Sequence, residues 1–291
     1  MYQLKNDQLT IVATDNGAML TSIQSADGLE YLWQGDPVHW AGQAPICFPI
    51  CGGLRNGRAM TKTQKSIVLG RHGFARNSQF DLMEQEVDRL LFRLQSNSET
   101  LCVFPFPFIL EIQYCLVEDS VAVTYAVTNP GKEILPFFIG GHPAFNCPIE
   151  DSLDFSDYAV QFDQEIARQT LANCEGGLLS AENLVQLEFD GRHLPLKQAL
   201  FKNGALVFDQ IASKSVTLTS SKGTHGLELT YPDFKNLLIW SSGTNAPFVA
   251  LEPWNGLATL IEESDIFEEK RDLQLALPGE TKAYTYCMRF F

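Results

Sequence analysis

The chain has 291 residues, 45% hydrophobic and 19% charged, enough apolar material for a sizeable core and too much for a disordered protein. Its 35 acidic residues against 21 basic ones give a formal charge of -14, which repels nucleic acid and anionic lipid. A neutral ligand, or one gripped by a few local arginines, fits better. The seven cysteines fall in apolar surroundings without a C-x-x-C pair and read as free thiols; Cys47 and Cys51, four apart, lack further ligands at metal spacing.

The opening MYQLKNDQLTIVATDNGAML is polar where a signal peptide needs a basic and then an apolar stretch, and no run nears the roughly 18 apolar residues of a membrane-spanning helix. A cytoplasmic protein is therefore expected. LTIVAT (9–14) reads as the first strand, and a helical turn is expected around 26–32. PICFPICGGLRNGR (45–58) then runs through Gly52 and Gly53 to a turn presenting Arg55 and Arg58 beside Asn56-Gly57. Glycine permits positive φ or close backbone approach there, and the arginines either hang in solvent on a hairpin or serve a ligand. After the strand KSIVLG (65–70), GRHGFARNSQF (70–80) sets His72 between Arg71 and Gly73, with Phe74 and Arg76 following. Fixed donors beside an aromatic ring suit a sugar, and an ordinary charged loop explains them equally well.

Strands at 90–96, 109–117 and 121–129 lead to FIGGHPAFNCP (138–148). Pro143 favours an extended His142, while Gly140 and Gly141 permit a kink or bulge just before it. The ring thus leaves its strand at a defined angle, either towards a core carbonyl or towards acid/base chemistry near neutral pH. Further strands read at 158–162, 184–189, 205–208, 215–220, 226–231 and 236–241. In APFVALEPWNG (246–256) Glu252 ends an apolar strand. It is either a carboxylate whose pKa burial raises into the range of a general base, or the partner of an arginine. Trp254 beside it offers an aromatic platform for a sugar face. A helical turn at 264–268 and a last strand at 282–291 complete the chain. With turn residues at short intervals and no repeat or linker, the reading is all-β: one large antiparallel domain, 1–291, a sandwich or a barrel, with very little helix.

Together, FPICGGLRNGR, HGFAR, GGHPAFNCP, ALEPWNG and LALPGETKAYTYCMRF, in this order along nearly the whole chain, resemble the aldose 1-epimerase (galactose mutarotase) superfamily, in particular its bacterial LacX-type branch. The resemblance implies a supersandwich with an open sugar cleft, and interconversion of the α and β anomers of an aldose without cofactor or metal. It implies Glu252 as the base taking the C1 hydroxyl proton and His142 as the acid protonating the ring oxygen. His72 would lie near that oxygen, and Arg55 would hold hydroxyls. Spontaneous mutarotation is already proton transfer, so a positioned acid and base, each worth about 10²- to 10⁴-fold, could carry most of the acceleration. Many members grip a hydroxyl with an aspartate between the histidine and the glutamate; here LFKNGALVFDQ (200–210) has Asn203 instead, with Asp209 as a weak substitute. Related hexose-6-phosphate epimerases use an arginine in an HGFAR-like segment, so Arg76 with Arg55 or Arg58 is where a phosphate would bind. The acidic chain and the other segments favour a free hexose such as galactose or glucose. A non-catalytic sugar-binding or regulatory protein on the same sandwich is the other class of reading. Nothing in the sequence selects an oligomeric state or gives His39, His193 or His225 a role.

Overall fold

The computed structural model describes residues 1–243 and 245–291. Period-two patterning makes the long strands: Ile109–Val117 and Ser120–Thr128 alternate between buried and half-buried positions along most of their length, as expected where one sheet face is core and the other wet. Only Glu118 and Asp119 separate them, with Glu118 at φ 51°, so this hairpin is tight and its register is set by the turn.

Nine strands form one antiparallel sheet. In spatial order they are His193–Pro195, Tyr158–Phe162, Ser215–Ser220, Leu227–Thr230, Thr281–Phe290, Ser120–Thr128, Ile109–Val117, Arg89–Gln95 and Asp81–Gln85. A second sheet runs Leu179–Gln186, Gln169–Asn173, Leu206–Phe208, Asn236–Trp240, Phe248–Asn255, Ile139–Gly141 and Ile46–Cys47, with Ala144–Asn146 also paired to Phe248–Asn255. The sheets meet through aromatic side chains, among them Phe162 against Phe208 at 5.5 Å and Phe145 against Phe290 at 6.4 Å between ring centroids. One buried apolar cluster draws on residues from Leu4 to Phe290. Phe248–Asn255 is buried at all eight positions, which accounts for its near-continuous apolar sequence and places Glu252 in the middle of the second sheet.

The expected strands are present, that of 184–189 beginning earlier, at Leu179. The expected helical turns are not both found. The one at 264–268 is a 3-10 turn over Phe267–Glu269, whereas 26–32 forms turns and isolated bridges, because Glu30 accepts hydrogen bonds from Ile23 and Leu32 and ties that segment to a strand. The α-helix lies at Ser98–Val103, where Asn97 and Thr100 form a reciprocal capping box. Among the described residues no helix is long and apolar enough to cross a membrane.

Candidate active site

Gly140 lies opposite Trp254, and Ala144 lies opposite Ala250. The register is therefore the same on both sides of the interruption at His142-Pro143, and His142 falls directly across from Glu252. Two prolines, Pro143 and Pro253, open the ladder there without inserting a residue, since neither has an N–H to donate. The His142 N–H turns instead to the carbonyl of Pro45 at 3.0 Å. The expected kink or bulge is thus not what the glycines provide. A Cβ on Gly140 would come within 2.3 Å of Trp254 Cδ1, and one on Gly141 within 3.0 Å of the hydroxyls of Tyr125 and Tyr286, so both glycines serve close packing.

His142 Nε2 lies 3.3 Å from Glu252 Oε2, at the floor of a cavity of about 480 Å³. The imidazole stacks on Trp40 at 5.0 Å and meets Trp240 edge-on at 5.6 Å. His142 and Glu252 are 6% and 2% exposed, so desolvation governs their charge. Burial lifts the Glu252 carboxyl well above its ordinary pKa; the Cys47 thiol adds to the rise, and the Arg71 and Arg76 guanidinium groups oppose it. Burial, then Arg76, lowers His142 to about 3. Among the described residues its Nδ1 meets no acceptor that would stabilise an imidazolium. Burial thus disfavours the charged form of both partners of this contact.

His72 occupies the left-handed region at φ 64°, an uncommon conformation for a residue with a Cβ. It is held there from both sides of its backbone: its N–H donates to the Gly52 carbonyl at 2.7 Å, and its carbonyl accepts from the Phe48 N–H at 3.2 Å. The Gly52 N–H also donates to His72 Nδ1 at 3.2 Å, with Cys47 Sγ 3.3 Å from the same nitrogen. Arg71 Nε–H donates to His72 Nε2 at 3.3 Å, so donors face both nitrogens of the ring. Burial, followed by the charges of His142, Arg71 and Arg76, keeps that ring neutral by lowering its pKa well below the usual value.

Of the residues singled out from sequence, His72, Arg76, His142, Asn203, Glu252 and Trp254 all line this cavity. Arg55 does not: its guanidinium donates to the carbonyls of Leu260, Ile261 and Glu263 and pairs with Asp265 at 3.3 Å, bracing a neighbouring loop. Asp209 is likewise placed elsewhere, paired with Arg271 at 2.5 Å. Asn203 is exposed at the mouth. Trp254 is walled in, with its indole N–H donating to the Gly141 carbonyl at 2.9 Å, so the half-buried rings are those of Trp40 and Trp240. Alternation from Leu238 carries Trp240 to the cavity face, a signal present in NLLIWS once that strand is paired with Glu252; Trp40 sits in a loop with no such signal. His193 and His225 pair at the surface with Asp190 and Glu150, and His39 packs edge-on against Trp33. Among the described residues no group of three or more His, Cys, Asp and Glu is disposed to hold a metal ion.

The family model for aldose 1-epimerase matches residues 1–264. A curated relative, the plasmid-encoded protein LacX of Lactococcus lactis subsp. lactis, is 40% identical over 290 residues, covering 98% of this chain and 97% of the relative. A galactose mutarotase related enzyme from Lactobacillus acidophilus has the same fold at a TM-score of 0.92 and 28% identity, over 100% of this chain and 97% of the other. A galactose mutarotase-like protein from Lactobacillus casei superposes at 0.91 with 29% identity, over the whole of both chains.

Proposed function

The chain belongs to the aldose 1-epimerase family, and from that premise we propose that it is an isomerase interconverting the α and β anomers of a hexose by acid/base opening and closure of the sugar ring. The observation that carries this reading is the opposition of His142 and Glu252 on the buried floor of the cavity, 3.3 Å apart. Ring opening needs one proton delivered to the ring oxygen as the C1–O bond breaks and one removed from the C1 hydroxyl as the carbonyl forms. With the shared proton on His142, the imidazolium supplies the first and the Glu252 carboxylate accepts the second. The pair then holds its proton on Glu252, the arrangement that burial favours. Rotation about C1–C2 presents the other face of the aldehyde, and closure returns each proton by the reverse path. No net proton is gained or lost.

A bound sugar favours the start of this cycle, because hydroxyls donating to Glu252 stabilise its charged form, as Arg71 and Arg76 already do. His72 lines the same cavity and meets the sugar near the ring oxygen. Anomer exchange followed by NMR or polarimetry across a panel of aldoses tests the proposal. At least one sugar is expected to equilibrate faster than in buffer, and Glu252→Gln and His142→Asn are each expected to lose at least about 10²-fold of that acceleration. Binding without acceleration for any sugar would instead make the chain a sugar-binding protein on this fold.

A further inference from the structure

We infer that Trp40 is a positioning residue for this reaction: its indole face, stacked on the His142 imidazole, aims that ring at Glu252 and stabilises the imidazolium that delivers the first proton. This role rests on the epimerase reading of the site and adds the group that makes its acid available.

The loop that carries Trp40 is built onto the segment that carries His142. The Trp33 N–H donates to the Ala144 carbonyl at 2.9 Å, the Ala144 N–H to the Gln43 carbonyl at 2.9 Å, and the His142 N–H to the Pro45 carbonyl at 3.0 Å. Between these ties the Trp40 N–H donates to the Asp36 carbonyl at 2.8 Å, and the Trp40 carbonyl accepts from the Trp33 indole N–H, also at 2.8 Å. The indole folds back over Gly42, where a Cβ would come within 2.3 Å of the ring. Trp33, Ala144, Ala246, Phe248 and Ala250 form a small apolar cluster apart from the main core, and Trp40 and Trp240 pack against it. Ala144 and Ala250, two residues from His142 and from Glu252, leave room for these rings. A half-buried indole is thereby fixed in place beside the catalytic pair.

The Trp40 and His142 rings lie 5.0 Å apart at 25°, so the imidazole sits over the electron-rich face of the indole. The other groups around His142 give its cation less lasting support. Arg76 and Arg71 carry the same charge as the imidazolium and oppose it, and His72, edge-on at 5.4 Å, is kept neutral by burial. Trp240 meets the ring at 82°, and Trp254 lies 6.4 Å away. Among the described residues Nδ1 has no hydrogen-bond partner. Glu252, 3.3 Å from Nε2, offers a negative charge, but in ring opening that charge turns to the C1 hydroxyl proton. The face of Trp40 stays on the imidazolium throughout the transfer. In a desolvated site such a contact favours the cation by about ten- to thirtyfold. Proton transfer is incomplete in the transition state, so a larger population of imidazolium outweighs its slightly weaker acidity.

Site-specific replacement of Trp40 by tryptophans carrying one, two and three ring fluorines tests this, with Trp40→Phe and Trp40→Leu beside them and NMR anomer exchange of glucose and galactose as the readout. Fluorine withdraws electron density from the indole face and leaves its size nearly unchanged. Each added fluorine is expected to lower kcat by about twofold while KM stays within about twofold of the wild type. Trp40→Phe keeps an aromatic face and is expected to lose about threefold in kcat, against at least about tenfold for Trp40→Leu. The fluorinated proteins preserve the packing, so they decide the matter even where the leucine variant does not fold. A packing role alone predicts one kcat across the fluorinated series, and a platform for the sugar predicts a rising KM at constant kcat; either result overturns the inference and leaves the epimerase intact. No acceleration by the unsubstituted protein with any aldose of the panel sinks the epimerase reading and this role with it.

Discussion

Glu252 and His142 are held away from their ordinary ionisation in opposite directions, Glu252 raised and His142 lowered to about 3. The pair therefore keeps one proton from about pH 3 up to the raised value of Glu252, the interval over which the proposed acid/base cycle is expected to run. A profile of kcat/KM against pH, corrected for the uncatalysed reaction, is expected to show no inflection near 6.5, the ordinary histidine value; one there would show that His142 titrates freely. The same burial makes the carboxyl costly to the fold. Below 4.5 Glu252 is protonated in both folded and unfolded chains, and above it the unfolded chain releases a proton that the folded one retains, so stability falls as pH rises towards the folded pKa. Glutamine has no proton to release. The stability of Glu252→Gln relative to the wild type is thus expected to rise with pH above 4.5, by up to about 1.4 kcal/mol per pH unit until the raised pKa of Glu252 is reached. Thermal unfolding at pH 5 and pH 8 measures it, and a margin that shrinks with rising pH would contradict the assignment.

At the scale of elements, the site is a gap in a sheet. Pro143 and Pro253 silence the ladder where His142 and Glu252 face each other, and Gly140 lets the Trp254 indole fold across the neighbouring strand. Gly140→Ala would drive a methyl into Trp254 at 2.3 Å, and a loss of about 1–3 kcal/mol is expected together with a fall in turnover as the indole shifts. Gly53→Ala, with nothing within 4 Å of the added methyl, is the control and is expected to fall within about 0.5 kcal/mol of the wild type in urea unfolding. Much of this gap was legible in the sequence: HP and EP at the ends of apolar runs marked both residues, and proline chemistry explained their backbone. The register that sets one against the other was not, because antiparallel partners more than a hundred residues apart leave no local trace. Arg55 misled for a related reason: a glycine-rich turn announces a presented arginine but not its direction, and carbonyls of 260–263 claim the guanidinium. The helix at Ser98–Val103 had its signal in SNSET, a capping box outweighed by the surrounding β pattern.

Across the whole molecule, composition told the total charge but not its partition: the chain is acidic, yet Arg71 and Arg76 line the cavity. The alternation that made the sandwich readable also hid how the two sheets support the site. Tyr125 and Tyr286 belong to adjacent strands of the nine-stranded sheet, with Tyr125 paired to Tyr284, so they are diagonal neighbours on one face. Their hydroxyls meet at 3.2 Å, fully buried, against the rear of Gly141 immediately before His142. Each hydroxyl is the other's partner, so removing one strands the second in a dry core, whereas removing both leaves nothing unsatisfied. Tyr125→Phe and Tyr286→Phe are each expected to cost about 1–2 kcal/mol, and the double substitution no more than the worse single one, a coupling of at least about 0.5 kcal/mol. Urea unfolding of the four proteins closes the cycle. Additive losses would mean that each hydroxyl stabilises the core independently, and that the packing between the sheets, rather than this hydrogen bond, holds the floor of the site in place.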